Sequence, residues 1–128
     1  LFNGGDASRD FIFVDDICRG LMACALKGTP GDVYNIASGG DITIKDLAER
    51  IAEITESKGG VELLPKRDWD TSGKRFGSTE KAKEELGFEA KVPFEEGIRL
   101  TIDWTKNNLD LINKNIEKHK DRLEWLRR

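Results

Sequence analysis

Two arginines and one acid are the residues of this sequence whose types and placement suit recognition of an anion: Arg9, Arg67 and Asp70. A guanidinium is a planar fork that makes bidentate, charge-assisted contacts with phosphate, about twice as strong as neutral hydrogen bonds. Arg9 opens the run RDFIFVDD and Arg67 stands in PKRDWD, each at the margin of a predicted strand, where loops can bring both over one pocket. Each alone reads as a surface or ion-pair residue. Together they can clamp a diphosphate.

Asp68 and Asp70 flank Trp69 in the second stretch. An ionised carboxylate only accepts hydrogen bonds, so one of the two can take sugar hydroxyls or orient Arg67. A solvated acidic turn is the other reading. Trp69 suits stacking on a ring or covering a core. Lys74 and Arg75 extend the positive field locally.

Other chemistries fit poorly. Asp15 and Asp16 are adjacent, whereas glycosidase carboxyls face each other across a sugar. His119, the only histidine, falls on the seam of the last helix and is assigned to packing or an interface. The Gly-Gly pairs at 4–5 and 39–40 and the GTPG at 28–31 read as turns, and none fits a dinucleotide or P-loop pattern. Cys18 and Cys24 point away from each other around a helix and read as buried apolar thiols, with no metal-ligand spacing anywhere.

The elements that must position these residues follow from periodicity. Strands are predicted over 9–14, 32–37 and 61–64, from β-branched and aromatic runs bounded by turn residues. Asp15 or Asp16 caps a first helix with an apolar stripe of Ile17, Leu21, Cys24 and Ala25. Thr43 caps the clearest helix, with Asp46 three positions on and Ile44, Leu47, Ala48, Ile51 and Ile54 on one face. Ser78 caps a helix through Leu86 that ends at Gly87, and Pro93-Phe94-Glu95 introduces another bearing Ile98, Ile102 and Thr105. Beyond Asn108, Leu109, Ile112, Ile116, Leu123 and Leu126 form a seam able to pack on the domain, fold back or pair with another chain. The order predicts an α/β fold, a small sheet with packed helices.

The 128 residues fit one domain, and 38% hydrophobic with 35% charged residues support a modest core. A formal charge of -3 argues against nucleic acid or an anionic membrane as partner, so any anion site is local. No apolar run approaches the roughly 18 residues of a membrane span, and a cytoplasmic setting is expected. The chain opens LFNGGDASRD without an initiator Met, and a piece cut from a longer chain is expected.

Four stretches taken in order carry a family resemblance: RDFIFVDDICRGLMACAL, GDVYNIASGGDITIKDLAERIAEI, LLPKRDWD and STEKAKEELGFEAKVPFEEGIRLTIDW. The sequence resembles the C-terminal, substrate-binding part of the extended short-chain dehydrogenase/reductases, in their NAD-dependent nucleotide-sugar epimerase/dehydratase branch. The resemblance implies a portion of a Rossmann-type enzyme over residues 1–108, with an added amphipathic helix over 109–128. By the family's motif, Arg9 and Arg67 contact the nucleotide diphosphate and Asp70 the ribose side. Tyr34-Asn35-Ile36 matches a strand of the large sheet, and Leu86-Gly87-Phe88 matches the family's helix ending.

Three departures stand out. Phe13 replaces a histidine common in the motif, and Asp68-Trp69 lie where many relatives have a glycine. The family's Tyr-x-x-x-Lys pair is also missing, because Ser38 lies four positions after the only tyrosine, Tyr34. The resemblance therefore implies NAD held by an N-terminal portion, with no cofactor on this chain and no activity by the chain alone. It implies UDP-glucose or UDP-hexose 4-epimerisation by the whole enzyme, with 4,6-dehydratase and UDP-glucuronate decarboxylase as alternatives and a homodimeric parent. A non-enzymatic module pairing through the last helix is the contrasting reading.

Overall fold

A computed structural model describes residues 1–69 and 73–120. A 3-10 turn at Phe2–Gly5 leads into strand β1 (Ser8–Arg9), followed by α1 (Val14–Lys27), β2 (Ile42–Thr43) and α2 (Ile44–Ile54). Then come β3 (Lys74–Arg75), α3 (Glu80–Leu86), α4 (Phe94–Asn107) and α5 (Leu109–Lys118). The sheet is small and mixed, with β1 in the centre, antiparallel to β2 and parallel to β3. Ser8 pairs with Thr43 and Lys74, and Arg9 with Ile42 and Arg75. The α/β class holds.

The predicted strands do not. Only Arg9 of the 9–14 run is in a ladder, and neither 32–37 nor 61–64 pairs as a strand. An apolar, β-branched run becomes a strand only where a neighbouring backbone takes its N–H and C=O groups. The side chains of 32–37 still alternate: Tyr34 and Ile36 pack toward a core of Ala82, Leu86 and Phe88, while Val33 is 79% exposed. The period was legible, and the hydrogen-bonded partner was not.

The first helix turns another way than predicted. Its buried residues are Asp16 and Gly20, with Ala23 and Cys24 packed on the core, while Leu21 and Ala25 are exposed. Gly20 explains the rotation, because a Cβ there would lie 2.4 Å from Ile36 Cγ2, so only glycine lets α1 approach the 32–37 segment this closely. Cys18 accordingly faces solvent and is not a buried thiol.

Neither aspartate is the cap either. Phe13 occupies the N-cap without a side-chain bond. Asp16 instead reaches across the fold, accepting the backbone N–H groups of Lys91 and Val92, both at 2.9 Å, and pairing with Arg19. Burial alone would raise its carboxyl. The Val92 N–H, Arg19 and the Lys91 N–H outweigh that and hold it below its ordinary value.

Local signals fared better where they close on themselves. Thr43 caps α2 as expected: its Oγ1 accepts the Asp46 N–H at 2.9 Å and donates to Asp46 Oδ2 at 2.7 Å. At the end of α3, Gly87 takes a left-handed φ of 64°, letting the Phe88 N–H reach back to the Ala82 carbonyl at 3.1 Å. Ser78 lies just before α3 and accepts the Glu80 N–H at 3.3 Å, while Thr79 holds the N-cap position. On α5, Ile112 is half-buried and Leu109 and Ile116 are about half exposed. His119 is exposed, and Leu123 and Leu126 lie outside the described residues.

Candidate functional site: a cavity between Arg9 and Arg67

Arg9 leaves β1 beside the centre of the sheet. Its guanidinium Nη1 donates to the Ser8 carbonyl and, at 2.8 Å, to the Gly73 carbonyl. Two backbone acceptors on one nitrogen fix the head of the side chain, and neither cancels its charge, because a carbonyl is a dipole and not a counter-ion.

Arg67 arrives from the loop after α2 and is held by different means. Its backbone N–H donates to Asn3 Oδ1 at 2.9 Å. Its guanidinium carbon lies 3.2 Å from the centre of the Phe2 ring and 5.2 Å from that of Trp69. The loop is also fastened one turn earlier, where the Leu64 N–H donates to the Leu1 carbonyl at 2.7 Å.

These anchors converge on the Phe2–Gly5 turn. Asn3, Gly4 and Gly5 are all left-handed, with φ of 54°, 67° and 76°. The conformation favours glycine, and Gly5 additionally sits where a Cβ would come within 3.0 Å of Lys45 Cβ at the start of α2. The resulting cavity, about 270 Å³, is lined by Arg9, Arg67, Phe2, Asn3, Gly5 and Ile44 among others. Arg9 and Arg67, far apart in sequence, therefore share one concavity. A neighbouring groove of about 530 Å³ shares Asn3 and Ala7 with it and adds Lys66 and Lys74, so cationic side chains border both.

Asp70 lies outside the described residues. Asp68 is exposed, and Trp69 is 74% exposed. Lys74 pairs with Asp41 at 3.4 Å, which spends part of the charge expected from the Lys74-Arg75 pair. Tyr34 is engaged structurally: its hydroxyl donates to Glu85 at 2.7 Å and accepts the Thr29 N–H at 3.1 Å.

Sequence reasoning missed three residues. Asp10 binds the 38–39 turn with both carboxylate oxygens, accepting the Ser38 N–H at 2.8 Å, the Ser38 hydroxyl at 2.6 Å and the Gly39 N–H at 2.9 Å. It ties the exit of β1, next to Arg9, to a distant loop, and the available signal was an acid beside a Ser-Gly-Gly turn. Phe2 and Asn3 support Arg67, and nothing local in LFNGGD announces that role. Among the described residues no cluster of three or more His, Cys, Asp or Glu could hold a metal ion, and no helix is long and apolar enough to cross a membrane.

A family model described as GDP-mannose 4,6 dehydratase matches residues 2–101. The chain belongs to the NAD-dependent nucleotide-sugar epimerase/dehydratase family. Among solved members of that family, the Bordetella bronchiseptica enzyme WbmF in complex with NADH is 56% identical, with a TM-score of 0.83 over 97% of this chain and 37% of that one. A UDP-glucuronate 4-epimerase of Thermodesulfobacterium geofontis is 32% identical over 88% of this chain and 34% of its own length. A dTDP-glucose 4,6-dehydratase of Streptomyces antibioticus is 33% identical over 84% of this chain and 32% of its own. The chain thus spans about a third of the length of the curated epimerase/dehydratase relatives it matches.

One expectation is corrected by these matches. NAD was assigned to an N-terminal portion alone, with none on this chain. Structures of WbmF that match 97% and 95% of the chain contain NADH or NAD+, so the region represented here belongs to cofactor-bound enzymes, and assignment of NAD to an absent portion alone does not stand. The cavity is chemically compatible with that correction, because NAD carries a diphosphate as a nucleotide sugar does, and arginine suits either.

Proposed function

We propose that this chain is the substrate-binding, C-terminal portion of a nucleotide-sugar enzyme and that Arg9 and Arg67 hold the substrate's diphosphate. The observation that carries the reading is the shared cavity lined by both arginines. A WbmF structure in complex with NAD+ and UDP, 54% identical, supports a UDP-linked substrate beside the cofactor. Residues 1–108 form this unit, 109–128 is an appended amphipathic helix, and Asp70 meets the ribose side by its place in the sequence motif.

The chain's own part in the chemistry is grip and orientation. Each guanidinium offers donors to phosphate oxygens, and the fixed head of Arg9 keeps the sugar end of the substrate in register with the reacting groups. NAD supplies the hydride acceptor of the reaction. Tyr34 is spent on Glu85 and Thr29, so the proton-removing tyrosine comes from elsewhere in the enzyme and the chain by itself is inactive.

The overall reaction is 4-epimerisation of a UDP-hexose or UDP-uronic acid, supported by the resemblance to a UDP-glucuronate 4-epimerase. A second reading, 4,6-dehydration, is favoured by the description of the matching family model. The setting is cytoplasmic and the enzyme a homodimer.

Titration of UDP-glucose into the intact, NAD-loaded enzyme tests the grip. Arg9→Ala and Arg67→Ala should each weaken binding by about 1.5 to 3 kcal/mol, the worth of a charge-assisted contact. Unchanged affinity in both variants would sink the clamp, and competition between free NAD and UDP-glucose for the cavity would reassign it to the cofactor. Product analysis with UDP-glucose separates epimer from 4-keto-6-deoxy sugar.

A further inference from the structure

Leu1 and Leu63 stand opposite each other as a parallel pair. The Leu1 nitrogen donates to the Glu62 carbonyl, and the Leu64 N–H donates to the Leu1 carbonyl at 2.7 Å. Two bonds from one residue to the neighbours on either side of its opposite number make one step of a parallel ladder. Among the described residues the ladder has that single step, although Val61-Glu62-Leu63-Leu64 has the composition of a strand.

The surface beside this pair is uncovered too. Leu47, Ala48 and Ile51 form an apolar face on α2, yet none of the helix's residues is fully buried. Ile51 is 40% exposed and Leu64 37%. A groove of about 460 Å³ runs between α2 and the 60–64 stretch, lined by Leu1, Ala48, Ile51, Ala52, Val61 and Leu64 among others. Leu1 therefore belongs both to the started ladder and to the open apolar groove.

We infer that this edge and groove receive the stretch of the longer enzyme that leads into Leu1, laid down as a strand parallel to 61–64. The inference rests on the reading of the chain as a portion of a longer enzyme, and it is independent of the diphosphate assignment. The existing step fixes the register. The second residue before Leu1 lies opposite Val61, and its carbonyl accepts the Glu62 N–H. Its side chain shares a face with that of Leu1, so an apolar residue facing the groove is expected there.

The added strand also bears on the cavity. Leu1 runs straight into the Phe2–Gly5 turn, and the 61–64 run leads into the loop of Arg67. A ladder continued backward from Leu1 holds both of these borders of the cavity in register from behind. Borders fixed before a ligand arrives remove part of the ordering cost of binding.

The test is amide exchange and nuclear Overhauser contacts in the intact parent enzyme, with no substitution needed. The Glu62 N–H should exchange roughly a hundredfold or more slower than an unstructured amide, as a bonded ladder does. Its amide proton should show contacts to the two residues before Leu1. Exchange at Glu62 near the unstructured rate would overturn the inference. So would a protected Glu62 whose contacts are to another segment, or protection that grows with protein concentration, which would assign the edge to a second copy. A reading frame that begins at Leu1 would remove the longer-enzyme reading together with the inference, whereas an unprotected Glu62 in a longer enzyme removes the inference alone.

Discussion

Asp10 grips Ser38 twice, through its backbone N–H at 2.8 Å and its hydroxyl at 2.6 Å. With the Gly39 N–H as a third donor, one carboxylate closes the loop after the 32–37 segment onto the residue that follows Arg9. Asp10→Ala should therefore lower stability by about 1–3 kcal/mol in urea denaturation, with amide exchange at Ser38 and Gly39 accelerated. Asp10→Asn, which keeps one acceptor oxygen, should lose less. Equal losses in the two variants would contradict the two-oxygen grip.

Asp16 gives a pH dependence of definite sign. Its carboxyl is held below the ordinary value of 3.8: burial opposes this, and the Val92 N–H, Arg19 and the Lys91 N–H prevail. A depressed folded pKa stabilises the protein above the unfolded value, and that contribution disappears as pH falls through the folded one. Relative to Asp16→Asn, the parent should be more stable by a constant margin above pH 5 or so and lose that margin progressively below about pH 4. A margin independent of pH down to 2 would refute the assignment.

Gly20 is predicted to resist the change that helix propensity favours. Alanine gains about 1 kcal/mol over glycine in a helix interior, but its Cβ would stand 2.4 Å from Ile36 Cγ2. Overpacking of this kind costs about 1–3 kcal/mol, so Gly20→Ala should be neutral to destabilising rather than stabilising. Combining it with Ile36→Ala should give less than the sum of the two effects. Strict additivity would mean that the two residues do not meet.

The Thr43 cap is a local feature with a local effect. Thr43→Ala removes the acceptor for the Asp46 N–H and should cost about 1 kcal/mol, while Thr43→Ser should keep most of it. Thermal melting of the two variants checks this, and matching melting points would rule out the hydroxyl as the cap.

The sequence by itself determined the helices with closed local signals, the α/β order and the pair of arginines worth watching. Thr43 with Asp46, and Gly87 after Leu86, involve bonds between residues a few positions apart, so composition and spacing contain the whole interaction. Tertiary structure decided what depends on a distant partner. The 32–37 run kept its alternating faces but has no ladder, Asp16 left the cap for Lys91 and Val92, and α1 turned about Gly20 to expose Cys18 and Leu21.

The site divides in the same way. Arg9 and Arg67 were recognisable as chemistry, because a guanidinium is suited to phosphate wherever it stands. That they line one cavity, one held on carbonyls and the other laid on Phe2, follows from a turn and two loops meeting in space. Contacts between remote segments exist only once the chain has closed upon itself, and no periodicity along the sequence encodes them.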